Sequence, residues 1–495
     1  MHANQQHTII SVFVQLSHLY YKIQVFLLLT QFCLKHAKKV VTLSKLAKER
    51  RPKKRIKWHE FKQSLSDSNF RRMFRMSKEC FDDLCSKIID TKGQSEFKSE
   101  MYIETNLKQK HNQNTSYKKR KRSSVYHANT FTSGEYICGE VKLAITLRIL
   151  AGGSYLDLGA LYSISYNYTY EIFHYVIKEW INNDHILPYP GLDYFDDIVQ
   201  MMETARDFES CGNHHGIFSG IIGAIDGWLV KIRCPRKSDR VGNSVDFYSR
   251  KGFYSVNVQA MVNKHKLILW RSIKSCGTEH DSNAFKKTSM YNKLLDKFNE
   301  LASQGLYIIG DSAYALRSFL LVPYDNAQPY SAEDTFNYHH STCRIWVECA
   351  FGEIDMRWGI LWKPLNFSFE HNMQVIDATM RLHNFIVMDR MKNNNIDNHS
   401  YNNEFNGYHE ETIEFLRSNP HEVVGVLNAN DHHLFSDNDG RGRLQRSAEQ
   451  SKQIGRNLRD HLKDNLVNGG YTRPLISTGA KWYRDRCNRT RYSSN

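Results

Sequence analysis

Two short apolar runs, each closed by a lone acid, constrain this chain more than anything else in it. The first is Ile221-Ile222-Gly223-Ala224-Ile225-Asp226-Gly227, and the second is Leu306-Tyr307-Ile308-Ile309-Gly310-Asp311-Ser312. A brief apolar run punctuated by glycine reads as a buried strand, not a helix. A carboxylate at the end of such a strand is costly unless it is paired or holds a metal. A third acid, Glu348, lies in Cys343-Arg344-Ile345-Trp346-Val347-Glu348-Cys349-Ala350-Phe351-Gly352. There Ile345, Trp346, Cys349, Ala350 and Phe351 recur at helical spacing. The expectation is that two strands and a helix converge three carboxylates on a divalent metal.

The rest of the chain supplies a large, basic frame for that site. Its 495 residues suffice for two to three domains. The formal net charge of +15 favours polyanionic partners, nucleic acid before an anionic membrane. Ten scattered cysteines, with no Cys-x-x-Cys, read as reduced thiols, not as a disulfide scaffold or structural zinc. Residues 8–34 are apolar-rich, but Gln15, His18, Lys22, Gln24 and Gln31 interrupt them, which argues against a membrane span. The early basic flank and cleavage site of a signal peptide are lacking too. A partner-binding leader helix or a dispensable extension remain as readings.

Taken in order, 1–69 is expected to be a basic leader, with cations crowded between Lys35 and Lys57. Residues 70–134 combine a helix, Phe70 to Ile89, with a linker that holds Lys118-Lys119-Arg120-Lys121-Arg122. Both basic blocks suit nuclear import, and the nucleus is the expected location. Ser77 is placed to cap an internal restart of the 70–89 helix. Residues 135–190 show three helices, with Ser154 a candidate cap and Ser163-Ile164-Ser165 a tight turn. That outline fits a DNA-reading helix-turn-helix or a plain packing unit equally. From 215 to 390 the order strand, strand, strand, helix, strand, helix predicts a mixed α/β sheet flanked by helices. Residues 391–495 form an Asn-rich linker, a peripheral helix with Ile454, Leu458, Leu462 and Leu466 on one face, and a basic tail.

Asp and Glu suit Mg²⁺ or Mn²⁺, hard cations that prefer oxygen ligands. Paired ions of this kind activate a nucleophile and stabilise the leaving oxygen of a phosphodiester. The cations Lys231, Arg233, Arg236, Lys237, Arg240, Arg250 and Lys251 suit a DNA phosphate track, or an ordinary solvated face.

As an ordered set, several blocks resemble the PIF/Harbinger superfamily of DDE transposases. They are Gly223-Ala224-Ile225-Asp226-Gly227, Asp246-Phe247-Tyr248-Ser249-Arg250-Lys251-Gly252-Phe253 and Gly277-Thr278-Glu279-His280-Asp281-Ser282. Gly310-Asp311-Ser312-Ala313-Tyr314, Val347-Glu348-Cys349-Ala350-Phe351-Gly352 and Arg381-Leu382-His383-Asn384-Phe385-Ile386 complete it. The resemblance covers roughly 135 to 390 and implies an RNase H-like fold and metal-dependent cutting of DNA, with possible strand transfer. It implies Asp226, Asp311 and Glu348 as the catalytic and metal-binding triad. Asp281 either assists the metal or caps its own helix, the cap being preferred, and Arg344 contacts phosphate or orients Glu348. Implied partners are transposon-end and target DNA, a separate Myb-like DNA-binding protein and further copies of this chain, with no membrane. Trp228 departs from the family, whose members usually carry Thr there, so a catalytically inactive, DNA-binding descendant is the alternative.

Overall fold

The computed structural model describes residues 56–93, 137–210, 216–239, 241–393 and 440–474, with a few isolated positions elsewhere. The chain forms two compact units, residues 1–55 with 118–135, and residues 56–117 with 136–495. The basic blocks, the apolar leader and the Asn-rich linker lie outside the described residues, apart from isolated leader positions.

The second unit begins with helices α1 (Trp58–Ser64), α2 (Asp67–Phe74) and α3 (Lys78–Lys92). The single helix expected over 70–89 is broken at Arg75, whose φ of 66° ends α2. Ser77 then accepts from the Cys80 amide at 3.0 Å and starts α3, the restart that its hydroxyl makes possible. Next come α4 (Gly139–Leu150), α5 (Tyr155–Leu161) and α6 (Tyr166–Tyr175), which runs on into a wider π turn over Val176–Ile181. Ser154 and Ser165 cap α5 and α6 through the Leu156 and Tyr168 amides. The outer faces of α5 and α6 carry exposed Tyr155, Leu156, Leu161, Tyr166 and Tyr170. Helix α7 (Ile198–Glu209) leads into the sheet.

The strands are β1 (Ile221–Lys231), β2 (Ser255–Val262), β3 (Ile268–Cys276), β4 (Tyr307–Ile309) and β5 (Leu320–Leu321). They lie in the order β3-β2-β1-β4-β5. The β1–β2 and β2–β3 pairs are antiparallel, while β1–β4 and β4–β5 are parallel. This is the mixed α/β sheet flanked by helices that the sequence predicts, consistent with an RNase H-like fold. The helical stretch read over 281–301 is divided into α8 (Asp281–Lys286), α9 (Ser289–Asp296) and α10 (Phe298–Ser303). Strand β5 was not read from the sequence, because two residues show no alternation.

Three long helices follow, α11 (Ala332–Arg357), α12 (Phe369–Asn393) and α13 (Gly440–Asn468). Helix α12 protects the edge strand β3, whose free backbone groups would otherwise invite pairing with another chain. Asn384 both accepts from the Ile268 amide and donates to the Ile268 carbonyl, each at 2.8 Å. His383 reaches the Lys266 carbonyl. Arg271 and Arg381 share Asp377, and both stack on Tyr189, which ties α12 to β3 and to the chain before α7. Helix α13 is not peripheral: Ile454, Leu458, Leu462 and Leu466 are all buried. It packs along α11, and Ser451 holds the Ser318 backbone beside β5.

Candidate active site

Strand β1 supplies the first acid. Side chains alternate along a strand, so Asp226 and Trp228 share one face of β1, and Trp228 stacks on Phe351 of α11 at 5.4 Å. The same helix presents Arg344 and Glu348 one turn apart. Arg344 donates to the Asp226 carboxylate at 3.1 Å and, through its other terminal nitrogen, to Glu348. Asp311 follows β4, the parallel neighbour of β1, and its Oδ1 accepts from the Ala313 amide at 3.0 Å. The structure thus brings Asp226, Glu348 and Arg344 into contact, and Asp311 into their electrostatic field.

The acids pay for their surroundings. Burial pushes the Asp226 carboxyl up to about 7, and the charges of Asp311 and Glu348 add to that, against Arg344 and the Gly227 amide. Burial also raises Asp311, opposed by the Ala313 amide, Arg344 and Arg250. Burial alone would weaken the charge on Arg344, yet Glu348, Asp226 and Asp311 together hold its pKa above the ordinary value.

Asp281 does not cap its helix as the sequence reading preferred. His280 occupies the cap position without a side-chain bond. The Asp281 carboxylate turns instead to β2, where Asn257 and Gln259 each donate to its Oδ1 at 2.8 Å. Gln259 in turn accepts from the Tyr314 hydroxyl. An ideal Cβ on Gly227 would lie 1.9 Å from that Asp281 oxygen, so glycine is required there. Asp281 therefore approaches β1 from the face opposite Asp226 and still acts on Asp311. Asn257, Gln259 and Tyr314 were missed. Their signal was present: Ser255, Asn257 and Gln259 alternate along a strand that is wholly buried, where polar side chains need partners.

Lys231, Arg233, Arg236, Lys237, Arg250 and Lys251 are exposed. Arg250 is near enough to Asp311 to act on it. Arg233 donates to Asn366 and lines a small cleft with Arg236, Phe367 and Phe369. Arg240 lies outside the described residues.

Residues 225–384 match the family model for the DDE superfamily endonucleases. Over those residues the chain is similar to a DDE superfamily endonuclease domain. Protein ALP1-like of Arabidopsis thaliana is 25% identical over 264 residues, 50% of this chain and 60% of that protein. Putative nuclease HARBI1 of Mus musculus is 26% identical over 172 residues, 33% of this chain and 45% of that one. The chain thus spans about half the length of the relatives it matches. These Harbinger-derived relatives agree with the resemblance read from the motifs. No solved structure matches.

Enzymes of the DDE superfamily generally use divalent metals. Among the described residues, no three His, Cys, Asp or Glu side chains are disposed to hold an ion together. The donors nevertheless fit one chemically. All are carboxylate oxygens, and the charge repulsion and burial that raise Asp226 are relieved by a cation. What stands between Asp226 and Glu348 is the Arg344 guanidinium. No helix among the described residues is long and apolar enough to cross a membrane.

Proposed function

We propose that this chain is a metal-dependent DNA endonuclease of the transposase type, which cuts phosphodiesters at the DDE domain. The observation that carries the reading is the meeting of Asp226 and Glu348 on one guanidinium, with Asp311 at the end of the neighbouring strand. Asp226, Asp311 and Glu348 would hold Mg²⁺ or Mn²⁺, which supplies an activated water and stabilises the leaving oxygen. The buried Asn257–Gln259–Tyr314 network fixes Asp281 behind the site and keeps the β1 backbone from shifting. Exposed Lys231, Arg250 and Lys251 contact the DNA backbone, which positions the duplex without reading its sequence. Attack by a freed 3′-hydroxyl on a second duplex, action on transposon ends, a Myb-like DNA-binding partner, a homo-oligomeric assembly and nuclear location belong to the same reading.

The second reading is a DNA-binding protein that has lost the chemistry. Trp228 favours it: its indole, stacked on Phe351, stands one strand step beyond Asp226 where a small hydroxyl residue is usual in the family. The deciding assay is Mn²⁺- or Mg²⁺-dependent nicking of duplex DNA carrying the element's ends, for wild type, Asp226→Ala and Glu348→Gln. Metal-dependent nicking that both substitutions abolish supports the endonuclease. Tight, salt-sensitive DNA binding without nicking by the wild type supports the second reading, and nicking that survives Asp226→Ala removes the site assignment.

A further inference from the structure

We propose that Arg344 is an exchangeable internal cation, which ties Asp226 to Glu348 while no divalent ion is bound and must release both for one to enter. The proposal rests on the metal-binding reading above. Arg344 is buried to the point that 18% of its side chain is exposed, and its two bonds from terminal nitrogens both go to acids of the site. Another buried arginine shows what a fixed structural guanidinium looks like here. Arg381 is 3% exposed and is held by Asp377, Asp184, the Leu187 carbonyl and the Tyr189 ring together. Among the described residues, both hydrogen bonds of the Arg344 guanidinium go to carboxylates and none to a backbone carbonyl. Its strongest charge partners among the described residues, Glu348, Asp226 and Asp311, are the groups that would surround a metal.

Charge and size decide which cation wins. A single guanidinium charge spread over a plane neutralises one carboxylate's worth of repulsion, at an N–O separation of 3.1 Å to Asp226. A compact divalent ion brings twice the charge and sits about 2.0–2.6 Å from its oxygens. Glu348, with 52% of its side chain exposed, is free to turn toward Asp226 once Arg344 lets go. Breaking two charge-assisted hydrogen bonds is the cost, and these are the strong kind. Arg344 thereby sets the metal affinity of the site from within.

The test is Mn²⁺ binding by calorimetry and by metal-induced thermal shift, on the metal-stripped full chain, for wild type, Arg344→Ala, Arg344→Gln and Asp226→Asn. Arg344→Ala and Arg344→Gln are expected to bind Mn²⁺ at least about tenfold more tightly than wild type, since removal of one charged hydrogen bond is worth that much or more. Their thermal gain on adding Mn²⁺ should also exceed the wild-type gain. Arg344→Gln keeps most of the side-chain length, so it reports even if Arg344→Ala fails to fold. Equal affinities in wild type and Arg344→Gln, with binding lost in Asp226→Asn, overturn this proposal and leave the metal-binding reading standing. Mn²⁺ binding that persists unchanged in Asp226→Asn overturns both.

Discussion

At the scale of single residues, the site is organised by one missing side chain and one buried charge. Gly227 stands where a Cβ would meet the Asp281 carboxylate at 1.9 Å and the Gln259 amide nitrogen at 2.7 Å. Gly227→Ala is therefore expected to cost about 1–3 kcal/mol, the usual range for overpacking a filled interior. Removing the obstacle should return part of that loss, so the Gly227→Ala, Asp281→Ala double variant is predicted to be more stable than the sum of the single changes. Chemical denaturation of the four proteins measures the coupling, and simple additivity would mean the two residues do not oppose each other. Asp226 makes the second prediction. Its folded carboxyl is raised to about 7 from an ordinary value of 3.8. Between those values the unfolded chain has released a proton that the folded one keeps, so stability falls as pH rises through this window. In metal-free buffer, Asp226→Asn should gain melting temperature over wild type from about pH 4 upward, with the gap level above about pH 7. A pH-independent difference would show that Asp226 is not strained by burial. The residue scale is also where sequence reading was least complete. Asp226 and Asp311 announced themselves by ending apolar runs, but the direction of Asp281 and the Arg344–Asp226 bond depend on residues far apart in the chain, and no local pattern encodes them.

At the scale of elements, the strands that carry Asp226 and Asp311 were legible as short apolar runs punctuated by glycine, and the helix that carries Glu348 by its helical spacing. The breaks were less so. Arg75 adopts a left-handed conformation that most non-glycine residues avoid, so the Ser77 restart could be read locally but the residue that ends α2 could not. The 281–301 stretch divides into three short helices, of which α8 packs on β2 and α9 on α13, and the apolar pattern does not show that change of partner. Helix α13 is the instructive case: its stripe of Ile454, Leu458, Leu462 and Leu466 was plain, yet nothing local told where the stripe lands. It lands on α11, the helix of Arg344 and Glu348. Leu462 is fully buried, and Leu462→Ala is expected to destabilise the unit by about 2–5 kcal/mol, as for other leucine truncations in a core. Thermal unfolding checks this. A change below about 0.5 kcal/mol, as at ordinary surface positions, would mean that α13 is the peripheral helix that the sequence alone suggested.

At the scale of the whole molecule, the catalytic assignment needs DNA to arrive, and the net charge of +15 is the means on offer. That charge is unevenly informative. Much of it sits in the blocks near Lys53 and Lys118, outside the described residues, whereas Lys231, Arg250 and Lys251 are exposed on the DDE domain itself. Salt dependence separates the two contributions, because each phosphate neutralised by a cation adds about 0.9 to the slope of log affinity against log salt. For the full chain, replacing Lys231, Arg250 and Lys251 together by Ala should therefore lower that slope by about 2.7 if all three contact phosphate. The loss should be similar on unrelated duplexes, since backbone contacts carry no sequence information. A slope that stays at the wild-type value would assign DNA attraction to the basic blocks alone and leave these three residues as a solvated face. A loss confined to one DNA sequence would instead make them readers of bases, which their flexible, exposed side chains on strand ends and loops give no structural reason to expect.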